Sequence, residues 1–133
     1  MFVDPIADLI TKIKNAINVK QSSIVIHSSK FTSAICETLK TNGYILDYVI
    51  SQVENKKNVS ITTITLKYLN KFSAINGIEQ ISKPGLRIYT QAEKTYKIKN
   101  GLGMAIISTS EGILTDKQVR AKKIGGEVIV HIW

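Results

Sequence analysis

Ile6, Leu9, Ile10, Ile13 and Ile17 recur at the three- and four-residue spacing of a helix and leave one continuous apolar stripe. A short helix with such a stripe is marginal alone in water, so the chain must cover it with something else that it folds. Asp4 can cap this helix, and Pro5 suits its first position, where a missing N–H costs nothing. At about 100° per residue, Thr11, Lys14, Asn15 and Asn18 share a polar arc, with Lys12 across the stripe.

The material that covers the stripe alternates in period. Ser23–Ile26 is β-prone, with three successive Cβ-branched residues. Ser29 can cap a second helix that buries Phe31, Ala34, Ile35 and Leu39 and stops at Asn42-Gly43. Two strands follow, Tyr44–Val53 and Val59–Tyr68, around the polar turn Glu54–Asn58. Residues 1–69 therefore read as an α-β-α-β-β lobe. From residue 70 to 133 the pattern is mainly β. A strand over Ile75–Ser82 runs into Lys83-Pro84-Gly85-Leu86, which has type II turn chemistry, and Arg87–Thr90 returns as a strand. Ala92–Lys99 is polar and reads as at most one helical turn. Gly103–Ser108 is a strand and Ser108-Thr109-Ser110-Glu111-Gly112 a hydroxyl-rich loop. Thr115-Asp116-Lys117-Gln118 has capping-box spacing and opens a short basic helix through Lys123, ended by Gly125-Gly126. Glu127–Ile132 closes the chain as an alternating strand. The fold class is α+β in two lobes, the second carrying a short helix.

At 133 residues and a formal charge of +8, the chain suits one domain or two small lobes, given roughly 100–200 residues per domain. Its 18 Lys+Arg face 10 Asp+Glu, and all but Arg87 and Arg120 of the basic residues are lysines, spread over both halves. Such a folded basic surface seeks polyanions. The lone Cys36 cannot form an internal disulfide, which removes the stapled secreted class. No apolar run reaches about 18 residues, so no membrane span is expected. The opening residues lack a signal-peptide pattern, which points to a soluble intracellular chain.

Catalytic chemistry has little to build on. His27, His131 and Cys36 make no pair at metal-ligand spacing, so no metal and no cofactor is expected. No G-x-S-x-G elbow accompanies the serines. Gly101-Leu102-Gly103 begins like a dinucleotide fingerprint but lacks the third glycine and the helix. Cys36 reads as a packed thiol. The expectation is no enzyme.

The candidate binding residues are of another kind. Ser108, Thr109 and Ser110 are short donors and acceptors that can enter the wide, shallow minor groove of A-form RNA. They can equally bond their own backbone in a turn. Gly112, Gly125 and Gly126 would let backbone approach a phosphate or sugar closely. Arg87 and Tyr89 share one strand face and can clamp a phosphate and stack on a base, or can stack only on each other at the sheet surface.

Taken in order, Asp4-Pro5-Ile6-Ala7-Asp8, Thr11-Lys12-Ile13-Lys14-Asn15 and Leu66-Lys67-Tyr68 form the first half of a longer pattern. Ser82 to Tyr89, Gly101-Leu102-Gly103, Ser108-Thr109-Ser110 with Gly112, and Gly125-Gly126-Glu127 complete it. The chain resembles bacterial-type members of the small-subunit ribosomal protein S8 family over essentially its whole length. The resemblance implies an N-terminal α/β lobe packed on a mainly β C-terminal lobe. It implies a primary binder of the central domain of small-subunit ribosomal RNA that helps nucleate the platform and contacts ribosomal proteins five and twelve. Such a protein is a monomer outside the ribosome and works in the cytoplasm of a bacterium, or in an organelle. Translational autoregulation through its own operon messenger is a further role the family allows. Carried over, Ser108, Thr109 and Ser110 form a minor-groove loop beside Gly125, Gly126 and Glu127, with Arg87 and Tyr89 on the same surface. Thr11, Lys12, Lys14 and Asn15, with Ser29 and Lys30, grip a second RNA segment through its backbone. Lys12 and Lys14 stand where the family commonly has arginine, which keeps charge but loses the bidentate fork. Glu111 stands where a basic residue is frequent, and a carboxylate there repels phosphate.

Overall fold

In the computed structural model, which describes residues 5–54, 59–83, 85–90 and 103–133, the predicted stripe forms helix α1 (Pro5–Asn18). Its buried side chains are Ile6, Leu9, Ile10, Ile13 and Ala16, with Ile17 only half-buried. Strand β1 (Ser23–His27) follows, then helix α2 (Lys30–Thr41), strand β2 (Ile45–Gln52) and strand β3 (Ser60–Leu66). The chain divides into two compact units, residues 1–75 and 76–133.

The first unit is a three-stranded antiparallel sheet in the order β1-β3-β2. Ile24 and Ile26 of β1 lie opposite Ile64 and Thr62 of β3, which sets one buried face. Helix α1 packs on β1 and α2 on β2. Each large aliphatic side chain sealed there contributes roughly 1.5–3 kcal/mol. Ser29 caps α2 as expected, in a reciprocal box with Thr32: the Thr32 N–H donates to Ser29 Oγ at 3.1 Å and the Ser29 N–H to Thr32 Oγ1 at 3.0 Å. The face of α2 differs from expectation. Thr32, Ile35, Cys36 and Leu39 are buried, while Phe31 and Ala34 are half-exposed. Thr32 enters the interior because its hydroxyl is already paired through the cap. Burial pushes the Cys36 thiol up to about 12, which keeps it a neutral packing group. A two-stranded hairpin, β4 (Tyr68–Leu69) and β5 (Phe72–Ser73), ends this unit and has no counterpart in the sequence pattern.

The second unit holds β6 (Ile78–Gln80), β7 (Tyr89–Thr90), β8 (Met104–Thr109), β9 (Gly112–Thr115), helix α3 (Asp116–Lys122) and β10 (Gly126–Ile132). Its sheet runs β6-β10-β8-β9, all antiparallel, with β7 also paired to β10. Ala105, Ile107, Leu114, Val119 and Val128 form its core under α3. Two expectations need correction. Helix α3 is ended by Lys123 in the left-handed conformation (φ 57°), not by Gly125-Gly126. The segment read as a strand from Arg87 pairs only at Tyr89–Thr90. Ala92–Lys99, Asp4 and Pro84 lie outside the described residues; the Lys83 and Leu86 backbones exchange both hydrogen bonds around the turn, at 2.8 and 2.9 Å.

Candidate nucleic-acid interface

The segment read as a five-residue hydroxyl loop is a tight hairpin. Ser108 and Thr109 are the last residues of β8, Gly112 is the first of β9, and only Ser110 and Glu111 make the turn. Gly112 sits at φ 105°, where a side chain would be strained. Strand pairing continues this far because Ile106, Ile107 and Ser108 each find a partner on β9, in Thr115, Leu114 and Ile113. That ladder carries the hydroxyls outward on a rigid support.

The three hydroxyls divide their work. Thr109 Oγ1 donates to the Gly112 carbonyl at 2.8 Å and accepts from the Glu111 N–H at 3.1 Å, so it is committed to the turn. The hydroxyls of Ser108 and Ser110 have no hydrogen-bond partner among the described residues, and Ser110 is exposed. Ser108 lies directly across from Glu127 on β10, and Glu127 directly across from Tyr89 on β7. Residues paired this way project from the same face of a sheet, so ring, carboxylate and hydroxyl form one row. The Glu127 side chain is held by Arg87, whose Nη1 donates to Oε1 at 3.1 Å. Tyr89 is 71 % exposed at the end of the row.

Gly126 belongs to the opposite face. A Cβ there would collide with the Ser108 carbonyl oxygen and come within 3.0 Å of Ile107 Cγ2 and Thr109 Cγ2. This glycine therefore lets β10 close on β8 at the position where Glu127 meets Ser108. Gly125 is exposed just before the strand. Glu111, at the turn, is partnered by Lys122 at 3.7 Å, which offsets its charge.

The other candidates lie in the first unit. Thr11, Lys14 and Asn15 are exposed along α1, and Lys14 and Lys30 have no partner among the described residues. Lys12 is different: its ammonium donates to the Val25 carbonyl on edge strand β1 at 3.0 Å and lies 3.4 Å from Asp8. It ties α1 to the sheet. Ser29 commits its hydroxyl to the α2 cap and leaves Lys30 at the helix start. Both sets of residues adjoin β1, one through Lys12 and one just past His27.

Lys14→Ala is accordingly expected to reduce the salt dependence of RNA binding by about one unit of log–log slope. Lys12→Ala, made in parallel, should change the slope less and lower the thermal midpoint instead. Equal slopes for Lys14→Ala and wild type would take Lys14 out of the phosphate contacts.

Two residues that support this surface give no sign of their role in the sequence. Lys122 neutralises Glu111 across the turn, a pairing between residues eleven apart that no local pattern marks. Asp116 is buried at the start of α3, its Oδ1 accepting from the Ala105 N–H at 3.1 Å and its Oδ2 from Arg120 Nη1 at 2.9 Å. The capping-box spacing locates Asp116 but carries no sign of its burial.

A small basic α+β scaffold that aligns a ring, a carboxylate and the Ser108 hydroxyl on one sheet face is suited to binding a partner by shape and charge. The family model for ribosomal protein S8 matches residues 4–133. The chain is similar to the small ribosomal subunit protein uS8 of Mycoplasmoides gallisepticum, at 53 % identity with all of both chains covered. It is likewise similar to those of Ureaplasma parvum, at 49 %, and Malacoplasma penetrans, at 47 %, again over the full length of both chains. The chain belongs to the ribosomal protein S8 family, whose members are structural, non-enzymatic components of the ribosome.

Proposed function

We propose that this chain is a structural protein of the small ribosomal subunit that binds the central domain of small-subunit ribosomal RNA and helps assemble the platform, in the bacterial cytoplasm. The relatives named above are bacterial small-subunit proteins. The observation that carries the RNA reading is the row Tyr89–Glu127–Ser108, next to the turn where the Ser110 hydroxyl is unbonded among the described residues. Small hydroxyls on a stiff hairpin can enter an A-form minor groove and meet 2′-hydroxyls and base edges. A carboxylate fixed by Arg87 can accept from a 2′-OH or a base amino group, and Tyr89 offers a stacking face. Thr11, Lys14, Asn15 and Lys30 supply backbone contacts and salt dependence, with Lys12 and Ser29 positioning the elements that carry them. Ribosomal proteins five and twelve, and the messenger of its own operon, are the partners proposed beside the RNA.

Filter binding to a central-domain fragment, with a scrambled duplex of equal length as control, tests this. A saturable preference for the fragment supports the reading. Equal, strongly salt-dependent binding to both would leave only nonspecific charge. Ser110→Ala should weaken binding to the fragment by about 1–3 kcal/mol without changing the thermal midpoint. Thr109→Val should lower both, since it removes the bonds that shape the turn. An unchanged dissociation constant for Ser110→Ala would remove that hydroxyl from the contact.

A further inference from the structure

The β4–β5 hairpin presents an apolar surface that nothing in the described fold covers. Phe72 is 76 % exposed and its cross-strand partner Leu69 61 %. Side chains paired this way stand on one face, so together they form a single projecting tip. The tip is well supported. Tyr68 and Ser73 continue the ladder, the Ala74 N–H donates to the Lys67 carbonyl at 2.9 Å, and the Tyr68 hydroxyl donates to the Gln21 carbonyl at 2.6 Å. That last bond sets the hairpin beside the α1–β1 connection, where Val19 is 73 % exposed. Asn70 and Lys71 make the turn with φ of 51° and 73°, and Lys20 in the neighbouring connection has φ 55°.

The strips of chain that build this tip carry charge of one sign. No acidic residue occurs between Asp8 and Glu37, or between Glu54 and Glu79, so both strips of chain that build the tip are free of carboxylates. Lys20 and Lys71 are exposed there, and neither has an ion-pair partner among the described residues. A protein surface meeting this patch would need apolar area to match, and the patch offers one ring and two aliphatic side chains. A nucleic-acid base needs only the ring face, with cations for the phosphates on either side.

We propose that this hairpin is a second RNA contact, in which the Phe72 ring stacks on an unpaired base while Lys20 and Lys71 meet the adjoining phosphates. The inference rests on the RNA-binding reading above and adds to it a single-stranded segment recognised by stacking. It involves none of the hydroxyl row.

The test is fluorescence anisotropy of the full-length protein with a labelled single-stranded RNA of about 12 nucleotides, within the site sizes of stacking platforms. Phe72→Ala should weaken binding about tenfold, the loss of one stacked base. Phe72→Trp should retain the affinity and Phe72→Leu should not, because leucine keeps apolar area but has no π face. Phe72 is exposed, so all three variants should keep the wild-type thermal midpoint. Lys71→Ala should reduce the salt slope by about 0.7. Ser110→Ala should leave binding to this probe unchanged while weakening binding to the structured fragment. Phe72→Ala without effect would overturn the proposal, as would rescue by leucine, which would show that apolar area and not ring stacking makes the contact. A Ser110→Ala defect on the structured fragment would then still leave the ribosomal RNA reading standing.

Discussion

Gly126→Ala is expected to destabilise the second unit by at least about 2 kcal/mol and, with it, to cost most of the affinity for RNA. The cause is backbone against backbone. The added methyl would sit on the Ser108 carbonyl oxygen, hemmed in by Ile107 and Thr109, and a carbonyl in a paired strand has no rotamer by which to move aside. The strands must part, and the first residue they displace is Glu127, whose register opposite Ser108 builds the row. Gly126 is not in the left-handed region; here the requirement is space. Thermal denaturation and filter binding should therefore fall together. Ser110→Ala is the contrasting variant, losing contact at constant stability. A Gly126→Ala protein with the wild-type midpoint would show that β10 can separate from β8 without penalty, and the packing argument would fail.

How much of this fold is legible in the residues depends on the range over which each signal acts. The stripe of α1, the Ser29 cap and the capping-box spacing of Thr115 with Gln118 act within a few residues of one another, and each element forms where its signal lies. Strand pairing acts at long range and leaves a fainter trace. β9 gives little signal because Gly112–Thr115 is four residues long and owes its order to pairing with Ile106 to Thr109. The β4–β5 hairpin has no Asn-Gly or Asp-Gly dipeptide; Asn70-Lys71 adopts left-handed φ without the usual marker. Gly125-Gly126 suggests a helix stop by composition, whereas Lys123 takes that position and Gly126 is needed by the sheet. The hydroxyl triplet is visible as a chemical feature. Its division into one structural hydroxyl and two that are unbonded among the described residues is not, because that depends on where the strands end and the turn begins. The same holds for Lys12: charge is written in the sequence, but its bond to the Val25 carbonyl is not.

Asp116→Ala should be the most damaging substitution of a charged residue among the described residues of the second unit, at about 2–3 kcal/mol. Its side chain is 7 % exposed and serves two donors at once. Removing it strands the Ala105 N–H in the core, beside Ile106 and Ile107, and leaves Arg120 without its counter-charge. Because Arg120 is 30 % exposed, solvent recovers part of the ion pair, and the larger share of the cost falls on the unpaired N–H. Asp116→Asn separates the two contributions. Its amide oxygen can still accept from Ala105, so it should lose about half as much. The consequence reaches the RNA surface through α3: Lys122, which partners Glu111 at the turn, is positioned by the helix that Asp116 anchors. Asp116→Ala should therefore weaken binding to the central-domain fragment although Asp116 itself is buried. Adding Lys122→Ala to Asp116→Ala should then weaken binding less than it does in the wild-type background, a coupling a double-mutant cycle measures directly. Strict additivity would mean that Asp116 serves stability alone and that the turn is held by Thr109 without help from α3.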